Sequence, residues 1–123
     1  MKKIFLLFSL CISSLCTIHA EITWNLSDDG TLTISGTDMP NYSYREFPWY
    51  SQRDKIKKVI IENGVTSIGT SAFYGCSSLT SVIIPNSVVS IGRQAFCDCS
   101  TLTSVNIPNS VTSIETAIFS DCI

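Results

Sequence analysis

Val65–Ser87 reads VTSIGTSAFYGCSSLTSVIIPNS, and Val88–Ser110 reads VVSIGRQAFCDCSTLTSVNIPNS. The two segments agree at 16 of 23 positions without a gap. Val111–Ile123, VTSIETAIFSDCI, begins a third copy. Upstream, Ile56–Gly64 (IKKVIIENG) overlays Leu79–Ser87, and Pro48–Asp54 (PWYSQRD) is a diverged form of the piece before it. A fixed period of this length marks a stack of repeats, in which one unit cannot bury its apolar face alone but neighbours share a core.

Each copy has a physical reading. Leu79, Val82 and Ile84 recur as Leu102, Val105 and Ile107. Val82 and Ile84 are two residues apart, so a strand places both inward and turns Ser81 and Ile83 outward. Pro85 and Pro108 end the strands because proline donates nothing to a ladder. The Asn-Ser that follows turns the chain. Val88 and Ile91 return to the core, and Gly69 and Gly92 mark a bend. The Ala72-Phe73 and Ala95-Phe96 pairs suit one helical turn on the far side.

Outside the repeats, Lys2 and Lys3 precede an apolar run from Ile4 to Ile18 that closes on Ala20. This pattern describes a secretory signal peptide cleaved after Ala20. The run is shorter than the roughly twenty residues of a membrane span. Cleavage leaves 6 basic and 10 acidic residues, a net charge of −4. That excludes a nucleic-acid binder working through bulk positive charge. It also removes His19, the single histidine, and with it Ser-His and Cys-His catalysis and histidine-ligated zinc. No carboxylate pair, phosphate-binding loop or metal-loop spacing stands out. The expectation is therefore no enzyme, no cofactor and no metal.

The V-T-S-I-G, A-F, C and L-T-S-V-x-I-P-N-S elements resemble the leucine-rich repeats of BspA-like bacterial surface proteins. TWNLSDDGTLTISG, followed by PWYSQRDKIKKVIIENGVTSIG, resembles the N-terminal module of that family. The resemblance implies a secreted or surface-displayed protein, and adhesion to a host or neighbouring-cell partner. It implies no catalytic residue. The expected fold is a right-handed leucine-rich-repeat solenoid of about three coils, mostly β with short helical turns. Residues 1–20 are the signal peptide, 21–55 an N-terminal β cap and 56–123 the repeats.

Ile22, Trp24 and Leu26 alternate with polar residues, as do Leu32 and Ile34, and Ser27-Asp28-Asp29-Gly30 joins them as a hairpin turn. This hairpin should cover the first coil. By the 23-residue register, Trp49 takes the place of Ala72 and Tyr50 that of Phe73. Cys76, Cys99 and Cys122 fall in one column, roughly 5 Å apart by strand spacing. A buried thiol ladder or a single disulfide are both open readings there, and Cys97 is expected at the surface.

The outward strand positions Lys58, Ile60, Ser81, Ile83, Ser104 and Asn106 form a stripe suited to a protein or glycan ligand. An ordinary solvated sheet face is the alternative. Arg53, Lys55, Lys57 and Lys58 form the basic cluster. Tyr42, Tyr44, Trp49 and Tyr50 read as cap packing or as a sugar-stacking surface. Asn25 and Asn41 begin glycosylation-acceptor patterns. In the third copy Glu115 replaces Gly69 and Gly92, and Ile118 replaces Ala72 and Ala95. Ile114, Ile118 and Phe119 are expected to lack a coil above them. They form a candidate surface for self-association, or the junction to a longer array.

Overall fold

The computed structural model describes residues 2–4, 22–115 and 117–120. Among these residues eight strands form two sheets. β1 (Lys2–Ile4), β2 (Thr23–Leu26), β3 (Thr31–Ser35), β4 (Lys58–Ile61) and β6 (Ser81–Ile83) lie in that order in the first sheet. β5 (Ser67–Ile68), β7 (Ser90–Ile91) and β8 (Ser113–Ile114) form the second.

β2 and β3 pair antiparallel as a hairpin, with Trp24 opposite Ile34 and Leu26 opposite Leu32. At the turn, Gly30 holds φ +88° and Ser27 bonds the Asp29 carboxylate. A side chain at Gly30 would meet the Lys55 carbonyl, so glycine is required twice over. β3 then pairs parallel with β4, and β4 with β6. Pairing of β1 with β2 falls within the segment expected to be removed as a signal peptide. Cleavage after Ala20 would make β2 the sheet edge.

The repeat register is visible in the pairing. Val59 lies opposite Val82, Ser67 opposite Ser90, and Ser90 opposite Ser113, each a step of 23 residues. Val59, Ile61, Val82 and Ile84 are buried, as the alternation requires. Val65, Ile68, Val88 and Ile91 are buried behind the second sheet. That sheet extends below the first copy: Asp38 bridges Ser67, and Thr37 accepts from the Thr66 amide at 2.7 Å. A diverged repeat therefore begins near residue 37.

Between the sheets the chain does not form the expected helical turn. Reverse turns follow one another, with Ala72 N–H bonding Gly69 O, Tyr74 bonding Ser71 and Cys76 bonding Phe73. Ser71, Gln94 and Ala117 each adopt positive φ (59°, 56° and 57°), at the same place in every copy. A left-handed residue at each point stops the helix from propagating. The one assigned helix among the described residues is the 3-10 segment Tyr50–Lys55. Successive copies are bonded on this side too: the amides of Ser71, Phe73 and Gly75 donate to the carbonyls of Arg93, Ala95 and Cys97 at 2.8–3.0 Å.

A ring column runs through the core. Trp49 stacks on Phe73 (5.7 Å), Phe73 on Phe96 (5.4 Å) and Phe96 on Phe119 (5.6 Å). Trp49 thus takes the place of Phe73, not of Ala72. The 3-10 helix absorbs one more residue before β4 than the corresponding turns spend before β6. Tyr50 is displaced to the half-buried rim, where the Arg53 guanidinium lies 4.0 Å from its ring centroid.

Gly69 and Gly92 do more than mark a bend. A Cβ at Gly69 would lie 1.8 Å from the Pro40 carbonyl oxygen, and one at Gly92 would lie 2.6 Å from the Thr70 nitrogen. Each glycine lets one repeat touch the backbone of the preceding one. Glu115 takes this position in the third copy, where its amide donates to the Ile91 carbonyl at 3.1 Å as that of Gly92 does to Ile68 at 2.8 Å. The third copy is looser in other respects. The strand expected around Ser104–Asn106 does not form, β8 is exposed at both residues, and the Ser110 hydroxyl is buried without a partner.

Candidate binding surface

The outward stripe exists in its first two rungs. Lys58 lies opposite Ser81 and Ile60 opposite Ile83. The hairpin extends both rows, with Thr31 opposite Lys58 and Thr33 opposite Ile60. Ile83 is 47% exposed, and Ile60 is half-buried. Ile60 lies on the inner strand β4 and Ile83 on the edge strand β6, so the two form one adjacent aliphatic pair rather than scattered residues. Ser104 and Asn106 are exposed but do not continue the ladder, because their segment makes no backbone bond to β6.

The self-association candidates separate. Ile114 is 52% exposed and Phe119 38%, whereas Ile118 is buried. A cavity of about 230 Å³ opens beside Phe119, lined by Leu102, Thr103, Ser104 and Val105.

A polar groove of about 380 Å³ crosses the second sheet. Its floor is the serine column Ser67, Ser90 and Ser113, and Asn41 and Glu115 lie at its margins. Sequence reasoning missed it. The recurring V-x-S-I spacing was the available signal.

Cysteine chemistry is muted. Among the described residues the cysteines form no disulfide, and Cys122 lies outside those residues. Cys97 is buried, not exposed as expected. It follows Phe96 in the position where the preceding copy has half-buried Tyr74, and the smaller thiol is covered there. Burial pushes the Cys76 thiol well above its ordinary value, and Cys99 beside it adds to the shift. Such thiols are poor nucleophiles. Among the described residues no group of three or more His, Cys, Asp or Glu is placed to hold a metal. No helix there is long and apolar enough to cross a membrane.

Of the aromatics, Trp49 and Phe47 are buried, and Tyr42 packs edge-on to Trp49 at 5.9 Å. Tyr44 is 51% exposed.

Residues 46–123 match the sequence model described as BspA type Leucine rich repeat region (6 copies). The chain belongs to the BspA-type leucine-rich repeat family. Solved structures of leucine-rich repeat proteins resemble it. One from Eubacterium ventriosum is 42% identical, with a TM-score of 0.71 over 76% of this chain and 25% of that one. One from Bacteroides ovatus is 27% identical, with a TM-score of 0.58 over 86% and 33%. A leucine rich cell surface protein from Faecalibacterium prausnitzii is 27% identical, with a TM-score of 0.51 over 82% and 34%. The BspA-type chain thus spans a quarter to a third of the length of these relatives. Comparison with curated protein sequences gave no match.

Proposed function

We propose that this BspA-type chain is an exported, non-catalytic binding module. The signal segment 1–20 is removed, the hairpin β2–β3 caps a right-handed solenoid, and the outward face of β3, β4 and β6 meets a protein or glycan on a host or neighbouring cell. One observation carries the reading: Ile60 and Ile83 sit side by side on the solvent face of a mixed sheet, on its parallel strands β4 and β6, whose other face is packed. Aliphatic centres rimmed by Lys58, Ser81 and threonines suit a protein partner best. The test is adhesion of the labelled protein to intact epithelial cells. The Ile60→Ala/Ile83→Ala variant should lose about tenfold in affinity with an unchanged circular dichroism spectrum. Undiminished adhesion sinks the surface assignment.

A second reading rests on exposed Ile114 and Phe119. Association through this face, with another copy or with further repeats, would bury both. Light-scattering mass across a concentration series distinguishes it: a monomer throughout excludes self-association.

A further inference from the structure

The outward sheet face leaves one exposed cluster unexplained. Ser43–Glu46 form a reverse turn closed by Glu46 N–H on Ser43 O at 2.9 Å. Tyr44 and Arg45 occupy its apex, and Arg45 holds φ 70°. That left-handed position favours glycine or asparagine. An arginine kept there at a conformational cost is a pointer to function. Its guanidinium lies 4.8 Å from the Tyr44 ring centroid and donates to the Tyr44 hydroxyl at 3.3 Å. Tyr74, from the first repeat, meets Tyr44 edge to face at 4.8 Å. The Asp98 carboxylate, from the second repeat, lies near the Tyr74 hydroxyl and helps to raise its pKa, after the larger effect of burial. Glu46 is exposed next to Arg45. Among the described residues, Arg45 pairs with no carboxylate within 4.0 Å.

The cluster therefore offers an exposed aromatic ring, a guanidinium with four of its five donors unspent, and two carboxylate acceptors. A charged ligand of either sign meets a like charge here, Arg45 for a cation and Glu46 or Asp98 for an anion. A pyranose does not. Its C–H face stacks on a ring, and its hydroxyls both donate and accept. The geometry points to a carbohydrate-binding ledge formed by Tyr44, Arg45, Glu46, Tyr74 and Asp98, taking a neutral hexopyranose unit of a glycan. It is separate from the Ile60–Ile83 face and does not depend on it.

The test is saturation-transfer NMR and titration on the full chain with three neutral probes: lactose, chitobiose and mannobiose. At least one should bind near 1 mM, a usual strength for a single shallow contact. Tyr44→Ala and Arg45→Gly should each weaken it about tenfold. Arg45→Gly suits the turn better than the native residue, so loss of binding there cannot be a folding failure. Ile60→Ala/Ile83→Ala should bind the sugar unchanged, which separates this site from the sheet face. The proposal is overturned if none of the three probes binds at about ten times that concentration. It is equally overturned if both ledge variants bind like the parent, or if dextran sulfate alone binds.

Discussion

The indole N–H of Trp49 donates to the carbonyl of Ala72 at 2.8 Å, with both residues fully buried. One side chain thereby joins the diverged first repeat to the first regular copy. Trp49→Phe keeps the stack on Phe73 but leaves the Ala72 carbonyl unsatisfied. It should cost about 1–3 kcal/mol in urea unfolding. A loss under about 0.5 kcal/mol would mean that the bond has little net worth.

Gly92 and Glu115 make a paired prediction. Gly92→Ala forces a Cβ against the Thr70 nitrogen and should destabilise by about 1–3 kcal/mol. Glu115→Gly gives the third copy the residue of the other two, so amide exchange at Ser113 and Ile114 should slow. Unchanged exchange would show that something other than Glu115 holds this copy off.

The left-handed turn positions predict opposite signs for similar changes. Gln94→Gly relieves a strained backbone and should stabilise by up to about 1 kcal/mol. Gly75→Ala, at φ 73°, should destabilise by about 1–2 kcal/mol. Thermal unfolding of the two variants gives the comparison, and equal signs would remove backbone strain as the cause.

Alkali should unfold the protein early. Burial pushes the Tyr42 hydroxyl from 10.0 up to about 12. It also raises the Cys76 thiol above 9.0. Between the unfolded and folded values the native state holds protons that the unfolded chain has released, so stability falls as pH rises. The decline should start near pH 9 and steepen from 10 to 12. Tyr42→Phe should flatten its upper part, and a profile level to pH 12 would contradict the assignment.

The buried rows of the sheets were legible because a period of two and a period of 23 act together. Val59 predicts Val82, and Ile68 predicts Ile91. The turn geometry was hidden because Ser71, Gln94 and Ala117 carry no glycine to announce positive φ. Trp49 was misplaced by one position because the 3-10 helix counts residues differently from the turns. The failed third strand has no local cause in the sequence, because L-T-S-V-N-I alternates as its neighbours do. The isoleucine stripe could be read from alternation. The Tyr44 ledge could not, because it joins residues from three successive repeats.

The bonds on the turn side all run one way, from the amide of one copy to the carbonyl of the next. The interface between copies is therefore its own template. Duplicating or deleting one 23-residue unit at Ser87–Val88 would recreate a junction that already exists. Over evolutionary time such a protein can change its length by recombination without inventing a new contact. Its cross-section stays fixed, while its length becomes a freely inherited variable.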